Sequence, residues 1–180
     1  MCGIAGLIHR GKSSNVGSEL QLMLQALKHR GPDSTGYALY ADNDGQNFIL
    51  RFKVGENVGE GSSSINEDDS VYDERKKLVD RMLSDLGARI VKENKLTPYS
   101  YRYEMKYDKD LMEFSKKVES IQSVEILSIG KSLELIKDLG DAKEVSDRYE
   151  LDKVNGTHAI GHARMATESG VDIKSAHPFW

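Results

Sequence analysis

The first thirteen residues, MCGIAGLIHRGKS (residues 1–13), admit two readings that lead to different chemistry. From Gly6, the run GLIHRGKS (residues 6–13) fits the phosphate-loop pattern G-x-x-x-x-G-K-[ST]. Such a loop needs a buried strand before its glycine turn and a helix opening at its Lys-Ser pair, so that backbone N–H groups wrap the anion. Here Leu7 and Ile8 are the interior of the strand itself, only five residues precede Gly6, and SSNVG after Lys12 does not open a helix. GIAGLIH (residues 3–9) is therefore read as a short buried strand. From Cys2, the same stretch offers a thiol directly behind the initiator methionine. A small second residue favours removal of Met1, which would leave one residue carrying both a nucleophilic sulfur and a free α-amine. An unperturbed thiol, with a pKa of about 8.5, is mostly protonated at neutral pH and needs a base; an α-amine of pKa about 7.7–8.0 is within reach through one water. The competing reading of Cys2 is a small hydrophobe at a strand end.

The rest of the composition narrows the choice. The 180 residues are 38% hydrophobic and 30% charged, which fits one ordinary domain, or one domain with a sizeable insertion. A net charge of −4 supplies no general field for nucleic acid or an anionic membrane, so neither partner is expected. No apolar run approaches a membrane span, and the N-terminus lacks the pattern of a signal peptide, so a cytoplasmic location is expected. Cys2 is the only cysteine, which excludes an intramolecular disulfide, and the five histidines show no metal-ligand spacing.

Along the chain, Ser18 with Gln21 reads as a capping box opening a helix, with Leu20, Met23, Leu24 and Leu27 on its apolar stripe as far as about His29. HRGPDSTG (residues 29–36) is a tight polar turn, and TGYALYAD (35–42) with NFILRFKV (47–54) reads as a β-hairpin. GENVGEGSSSINEDD (55–69) has the composition of a mobile linker. Beyond it, residues 73–94 read as a long helix with Leu78, Met82 and Leu86 on one face. YSYRYEMKY (99–107) alternates tyrosines with polar residues, as a half-buried strand does. Its tyrosine ladder would suit base stacking, but without positive charge it reads as a core face. A helix (109–120), a strand (124–129) and a helix (132–139) complete a small α/β unit, and a short strand leads into a polar terminal loop. Arg51 and Arg102 read as solvated strand positions.

Three separated stretches agree on the cysteine reading: CGIAGLI (2–8), LKHRGPDSTGYALY (27–40), and GTHAIGHARMATESG (156–170) with AHPF (176–179). Together they resemble the glutaminase domain of class II glutamine amidotransferases, the N-terminal-nucleophile branch. RMATE (164–168) and SVEILSIGKSLELIKDLG (123–140) are similar to the glutaminase domains or subunits of archaeal-type glutamate synthases. The resemblance implies an α+β fold, the four-layer αββα sandwich of N-terminal-nucleophile hydrolases. That fold would be divided here into a first part (1–54), an inserted small α/β module with a flexible start (55–150) and a second part (151–180).

The same resemblance assigns roles. Cys2 is the nucleophile, Arg164 of the G-H-x-R-x-x-T motif forks the substrate carboxylate, Thr167 adds a hydroxyl, and His177 lines the pocket. Arg30 would orient the terminus, and Gly31 would let backbone approach the reacting centre. The implied reaction is hydrolysis of the glutamine amide through a thioester, with ammonia passed to a synthase partner whose chemistry uses flavin and iron–sulfur centres. No cofactor motif is found in this chain. The family continues past H-P-F to an Asn-Gly pair that forms the oxyanion hole and to an acidic residue for the substrate ammonium; the sequence reaches Trp180 before either. Met165 and Glu168 stand where the amino-sugar branch carries an aromatic and a histidine, which argues against that branch. A non-catalytic assembly or regulatory subunit that keeps the fold is the alternative, and a retained Met1, blocking the α-amine, would favour it.

Overall fold

A computed structural model of the chain describes residues 2–31, 33–43, 45–55, 69–165 and 177–179. Among these described residues the fold is α+β, with two four-stranded antiparallel sheets and four α-helices. The chain divides into two compact units, Met1–Asn43 with Ser132–Trp180, and Asp44–Lys131. The strand at 48–53 lies in the second unit, and residues 133–148 lie in the first.

The first unit contains β1 (Gly3–Ile8), α1 (Val16–Ala26), a 3-10 turn (Lys28–Arg30), β2 (Ser34–Ala41), β7 (Leu133–Leu139), α4 (Ala142–Arg148) and β8 (Gly156–Arg164). Its sheet runs β1-β8-β2-β7. Strand alternation explains how α1 covers one face. Ala159, Gly161 and Ala163 of AIGHAR point to one side and Ile160, His162 and Arg164 to the other. The small side lets α1 approach closely: a Cβ on Gly161 would stand 2.5 Å from Leu24 Cδ1, and one on Gly3 3.1 Å from Leu27 Cβ. Leu20 and Leu24 are fully buried there, each worth about 1.5–3 kcal/mol of burial. The helix starts at Val16, where Asn15 accepts the Ser18 N–H at 2.9 Å, rather than at a Ser18/Gln21 capping box.

Two further sequence expectations are corrected here. Residues 35–54 form no hairpin: β2 pairs with β7 and β8, whereas β3 (Phe48–Lys53) pairs with β5 (Ser100–Lys106) and β6 (Glu125–Gly130) of the other sheet. Residues 133–139 are a strand and not a helix, because LELIKDL lies along the whole length of β2, from Ser34↔Leu139 to Tyr40↔Leu133. Long-range pairing overrides the helical propensity of Leu, Glu and Lys.

α4 is fixed by a true capping box. Asp141 accepts the N–H groups of Lys143 and Glu144 at 2.9 and 3.0 Å, and Glu144 accepts the Asp141 N–H. Lys28 reaches the other Asp141 oxygen at 2.6 Å, tying the 3-10 turn before Arg30 to α4. Burial acts to raise the Asp141 pKa, but Lys28 and the cap N–H groups outweigh it, and the carboxyl is held below its usual range. A depressed carboxylate pKa contributes stability above the unfolded value, and that contribution disappears as pH falls through the folded one. Asp141→Ala should therefore cost about 1–2 kcal/mol at neutral pH. The gap from wild type should close below about pH 4, as thermal melts across pH would show.

The second unit contains β3, α2 (Asp69–Leu86), β4 (Arg89–Lys95), β5 (Ser100–Lys106), α3 (Leu111–Glu119) and β6 (Glu125–Gly130), in sheet order β4-β5-β3-β6. This is the βαββαβ connectivity called ferredoxin-like, two interleaved split βαβ units. The tyrosine ladder is a core face: Tyr101, Tyr103 and Met105 pack with Phe52, Val79, Leu83, Phe114 and Val118. On α2 the buried residues are Tyr72, Val79 and Leu83; of the expected face Met82 and Leu86 are partly buried against this core, whereas Leu78 is exposed. Gly87, at φ 87°, ends the helix, and residues 89–94 turn back as β4 instead of extending α2. Arg51 is buried, contrary to its reading as a solvated position, and the half-buried Arg102 pairs with Glu104 at 2.8 Å. Most of the Gly/Ser-rich linker reading, at residues 56–68, lies outside the described residues.

Candidate active site

The face of the first sheet opposite α1 brings most of the sequence-selected residues together. Direct cross-strand partners share a face, so Ile4, His162, Gly36 and Lys137 form one row across β1, β8, β2 and β7. One step further along the β1–β8 register, Cys2 lies opposite Arg164 on this same face, since Gly3 pairs with Ala163. Cys2 is exposed and Arg164 buried. At the sheet's edge, Arg30 Nε donates to the Cys2 carbonyl oxygen at 3.4 Å. Gly31 lies so close to the end of β8 that a Cβ would stand 2.5 Å from the Arg164 carbonyl carbon. The Asp33 N–H donates to the Arg164 carbonyl at 3.1 Å, which stitches the HRGPD turn to the GHAR strand end.

His177, Pro178 and Phe179 form a short strap over the row. A Cβ on Gly36 would come within 1.8 Å of the His177 carbonyl oxygen, so the strap seats directly on that glycine. His177 meets the His162 ring edge-on at 5.0 Å between centroids and the Phe179 ring at 4.7 Å. The buried Lys137 ammonium lies 5.0 Å from the Phe179 centroid, a cation–π contact. Between strap and sheet is a cavity of about 410 Å³, lined by Ile4, Ile160, His162, His177 and Phe179 among others. That is the size of small-molecule sites. Burial, followed by His177 and Arg164, lowers the His162 pKa and favours the neutral imidazole.

Thr167 and Glu168 lie outside the described residues. His162 and Lys137 were not singled out from sequence. The signal for His162 was present, because its position two before Arg164 on one strand places both on one face. Lys137 has no such signal, since its place depends on residues 133–139 being a strand. The phosphate-loop reading is not matched by geometry: residues 6–8 belong to β1, Ser14 bridges to Gly156, and the next helix begins only at Val16. Among the described residues, no group of three His, Cys, Asp or Glu side chains is arranged to hold a metal ion. No helix among them is long and apolar enough to cross a membrane.

No protein-family model matches the chain. It is 37% identical over 188 aligned residues to a protein named "Putative glutamine amidotransferase" from Methanothermobacter thermautotrophicus, covering 99% of this chain and 56% of that protein. It is 29% identical over 184 aligned residues to "Glutamine amidotransferase-like protein GlxB" from Rhizobium meliloti, covering 99% and 54%. Over nearly its whole length the chain is therefore similar to proteins named for glutamine amidotransfer, and it spans little more than half the length of each.

Proposed function

We propose that this chain carries the glutaminase part of a class II, N-terminal-nucleophile amidotransferase. The observation that supports the reading best is the meeting of Cys2, Arg30, Gly31 and Arg164 at one corner of the sheet, from three stretches far apart in sequence. The similarity to proteins named glutamine amidotransferase supports it independently. In this reading Met1 is removed, and the α-amine of Cys2 takes the thiol proton through a water as sulfur attacks the glutamine δ-carbon. The proton passes to the departing nitrogen, ammonia leaves, and a γ-glutamyl thioester remains. Water, deprotonated by the same amine, adds to the thioester; glutamate departs and the thiol is restored.

Arg164 forks the α-carboxylate, because a guanidinium offers paired donors in the plane of two oxygens. Thr167 adds a hydroxyl to the same ligand, and His177 closes the pocket. The fold of the whole is the αββα sandwich. The first unit supplies one helix-backed sheet, and a second sheet covers the exposed Ile4, Ile8 and Ile160 on its open face. Ammonia passes to an acceptor partner, of glutamate synthase type on the resemblance of residues 123–140 and 164–168.

Arg164→Lys keeps the charge and loses the paired geometry. The glutamine KM should rise roughly tenfold or more, while synthesis from added ammonia by the assembled enzyme stays normal. Equal glutamine KM in variant and wild type would remove Arg164 from the site. A protein that still carries Met1 in its active form would remove the α-amine, and with it this mechanism.

A further inference from the structure

The mechanism above leaves one buried polar group of the cavity without a task. His162 is only 7% exposed, lines the cavity beneath His177 and Phe179, and its enclosed Nδ1 has no hydrogen-bond partner among the described residues. An enclosed N–H without an acceptor is costlier and rarer than an enclosed lone pair. The proton of the neutral ring therefore sits on Nε2, and Nδ1 keeps its lone pair. Cys2 and His162 are diagonal neighbours on adjacent strands, a separation of about 7–8 Å that long side chains span. Arg164 lies two residues along β8 on the same face, roughly 6.7 Å away. The cavity is lined by His162 and not by Cys2 or Arg164, and at these separations an amino-acid-sized ligand is long enough to touch that pair and reach over the His162 ring.

We propose that His162 is a ligand-positioning residue of this site, its Nε2–H being the hydrogen-bond donor that the cavity floor offers to an acceptor oxygen of the bound amide. The inference rests on the glutaminase reading and adds to it a neutral donor beside the charged Arg164. The other charged or titratable groups facing the same row are Arg164 on its own strand, Lys137 on β7, Cys2 at the start of β1 and His177 in the strap. A neutral donor suits this position, since a third fixed cation beside Arg164 and Lys137 would be repelled. The strap shields the ring from water, so a hydrogen bond made there competes with little solvent.

The test uses the full-length protein, wild type, His162→Leu and His162→Gln, with glutamine and with a diazoketone analogue of glutamine that alkylates the nucleophile. Gln presents an N–H near the place of Nε2, whereas Leu fills the volume without a donor. In His162→Leu, half-saturation by glutamine and by the analogue should rise roughly tenfold or more. His162→Gln should recover most of that loss. Nitrogen NMR of the wild type should place the imidazole proton on Nε2. Half-saturation within twofold of wild type in His162→Leu, a Gln variant as impaired as the Leu variant, or a proton on Nδ1 would each overturn the proposal. Failure of the analogue to label Cys2 in the wild type would instead reject the glutaminase reading itself. Labelling of the wild type with an indifferent His162→Leu rejects this inference alone.

Discussion

Cys2→Ala should reduce glutamine hydrolysis by roughly 10⁴-fold or more, to background, while the protein melts as wild type does. The size of the effect follows from what the residue is asked to do. A covalent route splits amide hydrolysis into thioester formation and thioester hydrolysis, and without the sulfur neither step exists. No other cysteine can substitute. The fold should be indifferent, because the side chain is exposed and its removal leaves no cavity; such substitutions stay within about 0.5 kcal/mol. Ammonia release under saturating glutamine, together with a thermal melt, decides the matter. Activity within tenfold of wild type would end the nucleophile assignment. The α-amine adds a second requirement, since a variant in which Met1 is retained should be as inactive as Cys2→Ala although its thiol is present.

The second large effect is expected at Gly36, which has no side chain to take part in chemistry. Its helix-opposed side carries the strap, and a Cβ there would stand 1.8 Å from the His177 carbonyl oxygen and 2.9 Å from Pro178 Cδ. Gly36→Val keeps β2, because valine favours strands and the glycine is not in the left-handed region. The strap cannot remain where it is. Without it, His177 and Phe179 leave the cavity and the His162 ring is uncovered, which removes the burial and the His177 contact that hold its pKa down. The expected results are a glutamine KM raised by an order of magnitude or more and a His162 imidazole that titrates nearer the ordinary histidine range. An unchanged KM would show that the strap is not part of the binding site, whatever becomes of the fold.

The sequence by itself determined those features that depend on neighbours within one segment. The alternation of AIGHAR separates a small face from a face bearing Ile160, His162 and Arg164, and the helix-facing glycine and alanines follow from it. Leu20 and Leu24 were readable as the buried stripe of α1, and the tyrosines of β5 as a core face, because period and composition agreed. The three stretches carrying Cys2, Arg30 and Arg164 were readable as one motif set. Tertiary structure alone decided which segments pair. Nothing local in TGYALYAD and NFILRFKV forbids a hairpin, yet the two strands join different sheets. Each is flanked by two partners in its own sheet, β2 lying between β7 and β8 and β3 between β5 and β6.

LELIKDL has the residues of a helix and becomes a strand because β2 presents a full row of backbone donors and acceptors to it. That pairing carries Lys137 onto the site's face, a consequence no local pattern contains. His162 falls between the two cases. Strand alternation fixes which way it points, but its enclosure under the strap, its unpartnered Nδ1 and its neutral ring arise only when residues 177–179 are laid over Gly36. Direction along a strand is set by covalent geometry, whereas burial and protonation are set by whatever the rest of the chain packs against it.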